Sequence, residues 1–316
     1  MAVINSVAGP LDTAELGFTL MHEHIIVQSP NVKENFPIFD REAEIERSVQ
    51  KLKDVIARGV KTLVDLTPAD WRDIPFVKEV VRRSGMQVIV ATGIYWEVPH
   101  YFRALGARSI DQIAGLFVRD IQEGIMDTGV KAGIIKCATD EPGVTDDVER
   151  VLRASARAQR ATGVPISTHT HAASQVGLKQ QDVFESEGVD LGRVIIGHSG
   201  DSDDLDYLRK LMDRGSYIGM DRFGLDQLLP TAKRVATIAR LCEMGYAEKM
   251  VLSHDASCYF DWAPADMVKM VVPNWHFNYI PDEVIPALRQ AGVSDEQIVA
   301  MTVDNPRRIF ERQGAY

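Results

Sequence analysis

Apolar residues recur along this chain at two spacings that alternate almost to its end. Short β-branched runs give way to longer stretches whose apolar residues fall every three to four positions, and the pattern then repeats. The short runs predict strands over Phe18–His24, Lys61–Leu66, Gln87–Gly93, Ala132–Cys137, Pro165–Thr170, Val194–His198, Tyr217–Asp221 and Met250–His254. Between them, REAEIERSVQKLKDVIARG sets Ile45, Val49, Leu52, Val55 and Ile56 on one helical face and stops at Gly59. VTDDVERVLRASARAQRATG repeats the design, with Thr145 or Asp146 as N-cap, Val148, Val151 and Leu152 inward, and Gly163 as terminator. Eight near-continuous apolar strands, each followed by a helix, predict a (β/α)8 barrel of the TIM type. The rival is an open doubly wound sheet, disfavoured because no GxGxxG follows the first strand. No low-complexity linker interrupts residues 1–316, so a single barrel domain is expected, with the first residues as a small cap and Pro281–Phe310 as a terminal helical layer.

Composition narrows the function classes. A chain of 316 residues with 45% hydrophobic and 25% charged residues can bury a large core. Its net charge of -10, with no cluster of Lys and Arg, argues against nucleic acid as a partner. No apolar stretch reaches the roughly 18 residues of a membrane span. MAVINSVAGP lacks the basic start and apolar core of a secretion signal, so a cytoplasmic protein is expected. Cys137, Cys242 and Cys258 are widely spaced with no CxxC pair, which suggests neither a disulfide framework nor a thiolate zinc site.

The candidate chemistry begins at TLMHEHI. Side chains two apart on a strand share a face, so His22 and His24 project together while Met21, Glu23 and Ile25 face the other way. An isolated HxH is either a chelate or two histidines filling a polar corner. Four other strand ends add to it: Lys136 in IIKCA, His169 in ISTHTH, His198 in IIGHSGD and Asp255 in LSHDA. In a barrel these carboxyl ends converge on the rim where active sites are built. Four histidines and an aspartate there match the nitrogen and oxygen ligands of a zinc-like divalent ion. Lys136, at the end of an apolar strand, tends to lose its proton. It either pairs with a carboxylate or, beside metal ligands, takes up carbon dioxide as a carbamate whose two oxygens bridge two metals.

In this order GFTLMHEH, GIIKCATDEPG, PISTHTHA, VIIGHSGD, GSYIGMDRFG and MVLSHDA resemble segments of the binuclear metal amidohydrolase superfamily, specifically its phosphotriesterase-like lactonases, over nearly the whole chain. The resemblance implies that His22, His24 and Asp255 hold one metal and His169 and His198 the other, with carboxylated Lys136 and a hydroxide bridging the pair. Zinc is the expected ion; cobalt, iron and manganese accept the same donors. A shared water activated toward neutral pH would attack a carbonyl or phosphoryl centre, with Asp255 as general base.

Substrate choice falls to the loops. The comparison makes Tyr95, in GIYWEVPHYF, a pocket residue able to hydrogen-bond near the reacting oxygen, and Arg222, in GMDRFG, a residue near the lactone; aromatic packing and a plain salt bridge are the alternatives. Ala256–Ile280 forms a long eighth loop rich in aromatics, including Tyr259, Phe260, Trp262 and Trp275, suited to an apolar channel for an acyl chain, while the seventh loop is short. That pairing resembles the lactonases more than the true phosphotriesterases. Trp262 and Cys258 are therefore taken as substrate contacts, although a packing role for Cys258 is the plainer reading. The expected activity is opening of N-acyl-homoserine lactones or related γ- and δ-lactones, with promiscuous phosphotriesterase activity and quorum quenching as a consequence. The alternatives are a dedicated organophosphate or other ester hydrolase, and a metal-binding barrel that stores a ligand without turning it over. The resemblance also suggests a homodimer. His171 is read as a loop residue, His254 as core packing, and His100 and His276 as surface histidines.

Overall fold

The computed structural model describes residues 2–36, 39–104 and 109–316. Two short strands, β1 (Val3–Ser6) and β2 (Gly9–Asp12), pair antiparallel as a hairpin. Eight parallel strands follow: β3 (Phe18–Val27), β4 (Val60–Asp65), β5 (Gln87–Gly93), β6 (Ile134–Thr139), β7 (Ile166–Thr170), β8 (Val194–Ile196), β9 (Tyr217–Met220) and β10 (Met250–Leu252). A ninth, β11 (Ser257–Phe260), lies beside β3, and neighbours in the sheet follow chain order from β3 to β10. Each expected strand is present, so the alternating apolar pattern yields the (β/α)8 barrel.

Pleat parity explains why the barrel is solid. Val64, Leu66, Ile89, Ala91, Ile134, Ile195 and Val251 form an inner cluster with Ile4, Leu11, Ile309 and Phe310, so the hairpin and the last helix plug one end. Their neighbours Leu63, Val88, Val90, Ile135, Ile196 and Leu252 belong to the outer cluster beneath the helices. Burying each such side chain contributes about 1.5–3 kcal/mol relative to exposure. Helices Arg41–Ile56 and Asp146–Thr162 form where their apolar faces predict, and the Thr145 side chain caps the second by accepting from Val148 N. The C-terminal segment from Ile280 to Glu311 is a helical layer.

Three local expectations need correction. The pairing of β3 with β4 slips between Leu20 and Glu23, and this irregularity lets Met21 join the inner cluster beneath the histidines instead of facing outward. His198 and Asp255 do not end strands; they sit just past β8 and β10 in left-handed turns, each with φ of 58°. The eighth loop is partly ordered as β11 and a helix over Ala265–Val271.

The barrel closes where β3 meets the residues after β10. Asp255 N donates to His22 O at 3.0 Å and His24 N to Ala256 O at 2.8 Å. Glu23, buried against this seam, accepts from Ser253 Oγ, His254 N and His254 Nδ1 through Oε1 and from Ala256 N through Oε2. His254 is thus a core residue, and its Nε2 accepts from Ile280 N at 3.0 Å. Among the described residues no helix is long and apolar enough to cross a membrane.

Candidate metal centre

The strand ends bring His22, His24, Lys136, His169, His198, Arg222 and Asp255 onto one pocket, with Tyr95, Trp71, Leu228, Phe260, Trp262 and Trp275 among its walls; the cavity is about 360 Å³. Parity aims the lysine there: Ile134 fills the barrel interior, and Lys136, two residues on, rises above it. The imidazole rings pack on one another: His22 and His198 are stacked with centroids 4.7 Å apart, and His24 on His22 at 5.6 Å and His169 on His198 at 4.4 Å are T-shaped.

Two distances decide what this floor can hold. His22 Nε2 lies 3.3 Å and His24 Nε2 3.0 Å from the same atom, Asp255 Oδ1. The other nitrogen of each ring is already engaged: His22 Nδ1 with Asp221 Oδ2 at 2.9 Å, His24 Nδ1 with Thr67 Oγ1 at 2.8 Å, whose hydroxyl donates to Asp65 Oδ1. With Nδ1 donating, the Nε2 lone pairs converge on a carboxylate oxygen, a set of acceptors that a cation completes. One ligand atom each from His22, His198 and Asp255 lies within 4.8 Å of the others. The residues present therefore fit a divalent metal.

Burial sets the charge states. It pushes His22 down to about 4, with the Lys136 charge acting the same way, and His169 down to about 4. It also pulls Lys136 to about 8, against the opposing pull of Asp255. Burial alone would raise Asp255, but the adjacent His22 and His198 hold its carboxyl well below the usual range. Lys136 Nζ stands 3.0 Å from His22 Nε2. Neutral His22 and His169, an ionised Asp255 and a lysine that sheds its proton more readily than usual form a metal-ready set.

His169 is held from both sides, with Tyr95 Oη 2.7 Å from Nδ1 and Asp140 Oδ2 3.5 Å from Nε2. Burial raises the Tyr95 phenol well above its ordinary value, so it stays protonated. Arg222 donates through Nε to Asp255 Oδ2 and through NH1 to Asp201 Oδ2, both at 3.0 Å, and Asp201 is also paired with buried Arg234 at 2.7 Å. Arg222 thus forms the ion pair weighed from sequence and also faces the pocket. Cys258 does not line it. The thiol lies behind the wall in the outer core facing helix Arg41–Ile56, where burial pushes it up to about 12. His171, in a loop, has its ring Nδ1 3.0 Å from the Ser174 hydroxyl, its carbonyl accepts from Ser174 Oγ, and its backbone N–H donates to Thr139 O.

Sequence reasoning passed over Asp221, Asp65, Thr67, Asp140, Asp201 and Glu23. Asp221 and Asp65 carried a visible signal, since each is a lone carboxylate at the end of an apolar run, Asp65 closing β4 and Asp221 just past β9.

The chain as a whole is similar to known proteins. A sequence model of the phosphotriesterase family matches residues 2–310. The chain is 53% identical over 327 aligned residues to a phosphotriesterase homology protein of Mycobacterium tuberculosis (strain CDC 1551 / Oshkosh), covering 100% of both. It is 43% identical over 306 residues to an aryldialkylphosphatase of Saccharolobus solfataricus, covering 95% of this chain and 96% of that one. A solved structure of the phosphotriesterase from Mycobacterium tuberculosis superposes with a TM-score of 0.96 at 52% identity over the whole of both chains.

Proposed function

Because this chain belongs to the phosphotriesterase family of binuclear metal-dependent hydrolases, we propose that it opens lactone rings, with N-acyl-homoserine lactones and related γ- and δ-lactones as substrates and phosphotriesters as a slower class. The observation that carries this reading is the shape of the pocket walls. Only residues 221–230 separate β9 from the next helix, whereas the chain after β10 runs through β11 and helix Ala265–Val271 before the terminal layer. This long loop contributes Phe260, Trp262 and Trp275, which line the cavity together with Val27, Leu66 and Leu228. A long apolar wall beside a compact polar floor suits an acyl chain joined to a small polar ring.

In this reading His22, His24 and Asp255 would hold one metal and His169 and His198 the other, with carboxylated Lys136 supplying oxygen donors to both; zinc would suit the nitrogen and oxygen donors, as would cobalt, iron and manganese. Once bound, two divalent ions activate a shared water near neutral pH and polarise the substrate oxygen. The protein's own groups do the rest. Lys136, drawn to about 8, offers a neutral amine for carbon dioxide. Asp255 Oδ2, steered by Arg222 Nε at 3.0 Å, accepts the proton of the attacking water and passes it to the leaving alkoxide. The Tyr95 hydroxyl donates to the substrate carbonyl oxygen, and Trp262 covers the ring and excludes water. Exposed Trp262, Met267, Met270 and Val271 on the eighth loop suit a homodimer contact.

The aryldialkylphosphatase relative supports a second reading, a dedicated organophosphate hydrolase on the same site. The deciding experiment compares kcat/KM of the metal-loaded protein for a medium-chain acyl-homoserine lactone and for an aryl dialkyl phosphotriester, with Lys136→Ala as control. A larger lactone value, lost in the variant, supports the lactonase; a larger phosphotriester value selects the second reading. Turnover of neither leaves a ligand-binding barrel.

A further inference from the structure

One carboxylate beneath the floor touches a histidine of each metal set. Asp221 Oδ2 lies 2.9 Å from His22 Nδ1, and Asp221 Oδ1 lies 3.1 Å from His198 Nδ1 while accepting the His198 backbone N–H at 2.8 Å. Asp221 is 1% exposed, and its position is built into the neighbouring strands. A Cβ on Gly219 would stand 2.3 Å from Asp221 Oδ2, and one on Gly197 would stand 1.9 Å from Thr168 O and 3.3 Å from the same carboxylate oxygen. Both positions therefore require the absence of a side chain. The backbone bond to Oδ1 also holds His198 in the left-handed turn, φ 58° and ψ 12°, that swings its ring over the pocket.

We infer that Asp221 is a positioning residue that fixes both His22 and His198 in the tautomer with the proton on Nδ1 and thereby keeps an Nε2 lone pair of each metal set available at once. A carboxylate has only acceptors, so each ring that bonds it must donate from Nδ1. Two further contacts agree. Lys136 Nζ, a donor, is 3.0 Å from His22 Nε2, and His198 Nε2 is 3.7 Å from the nearest oxygen of Asp255, too far for a hydrogen bond. His22 Nε2 also lies 3.3 Å from Asp255 Oδ1, but in each ring the shorter carboxylate contact is the one at Nδ1, 2.9 Å for His22 and 3.1 Å for His198, so the proton belongs there.

The consequence is asymmetric. In Asp221→Asn one carboxylate oxygen becomes an NH2 group. The Oδ1 position serves two donors of His198, and the Oδ2 position serves one donor of His22, so the amide oxygen belongs on the His198 side and the NH2 faces His22. His22 must then accept at Nδ1 and carry its proton on Nε2, which removes it as a ligand, whereas His198 is unchanged. The substitution is expected to empty the metal position of His22, His24 and Asp255 and to spare that of His169 and His198. This step rests on the ligand sets given under the proposed function.

Two measurements test it. In metal-free wild-type protein with 15N-labelled histidine, two-bond proton–nitrogen NMR spectra, assigned with His22→Gln and His198→Gln, should show both rings protonated on Nδ1. Protonation of either ring on Nε2 overturns the inference, whether or not Asp221→Asn folds. Metal content after zinc loading and desalting should fall from about two ions per chain in the wild type to about one in Asp221→Asn, the lost ion having weakened on the order of 10–100-fold. Two ions retained in the variant also overturns it. A wild type that holds one ion or none, with both rings on Nδ1, overturns the ligand sets and the selective loss, and leaves the tautomers standing.

Discussion

The floor and the wall of the pocket are held by different forces. On the floor His22, Lys136, His198 and Asp221 are nearly fully buried, and the Nδ1 atoms of both rings, the lysine amine and the carboxylate oxygens find partners on other strand ends. The wall made by the eighth loop rests on ring contacts, Trp71 against Trp262 at 5.5 Å and Phe260 against Trp275 at 5.6 Å, and leaves Trp262 62% exposed. Directional bonds in a buried network are made or lost outright, whereas apolar contacts weaken by degrees. Changes to the floor should therefore abolish a function, and changes to the wall should tune one.

The hardest test of that contrast is Lys136→Ala, which removes the bridging group of the proposed centre; kcat/KM for lactone and phosphotriester should both fall at least about 10³-fold, near 4 kcal/mol of barrier. Retention of either activity would place the floor among tunable elements. Acidity probes the same floor without a mutation. Burial keeps His22 and His169 near 4 in the folded metal-free chain, against an ordinary 6.5, so between those values the unfolded chain binds more protons. The stability these rings contribute is fully present above 6.5 and is lost as pH falls through 4, on the order of 3 kcal/mol for each ring. Urea midpoints of metal-free protein between pH 7 and 4 report it, and a flat profile would mean that the rings are solvated.

At the seam, Glu23→Gln turns one of two acceptor oxygens into a donor facing the donors of Ser253, His254 or Ala256. The expected loss is about 2 kcal/mol of unfolding free energy with an unchanged denaturant slope. The smallest effect belongs to the wall: Trp262→Ala should raise KM for a long-chain lactone about threefold, leave kcat within about twofold, and shift stability by less than about 0.5 kcal/mol because the ring is mostly exposed. A kcat loss larger than the KM change would make Trp262 part of the floor's machinery.

How much of this was legible in the sequence follows the same division. Strand positions emerged from parity, and the six proposed ligands stood out because a polar residue at the end of an apolar run has few other reasons to be there. The groups that aim those ligands were harder to see. Asp65 ends a strand and Asp221 follows one, but a single carboxylate carries no spacing to mark it, and its value appears only when rings arrive from other strands, two at Asp221 and one through Thr67 at Asp65. Glu23 was assigned to the face opposite the histidines, and a charge in that direction needs a partner; the partner lies across the seam, more than 200 residues away. Cys258 shows the reverse error, nearness in sequence to Asp255 without nearness to the pocket, because β11 turns its thiol into the core.

The seam also sets a schedule. His24 and Asp255 meet across 231 positions of sequence, and Glu23 binds the backbone of the same late segment. At a synthesis rate of about 5–20 residues per second, the first two histidines leave the ribosome many seconds before the aspartate they face. During that interval the nascent chain holds half a ligand set and an unclosed sheet edge. The seam thus cannot close until the segment after the eighth strand has been made, and a message cut short before it yields a chain in which His22, His24 and Glu23 lack the partners they hold in the finished barrel.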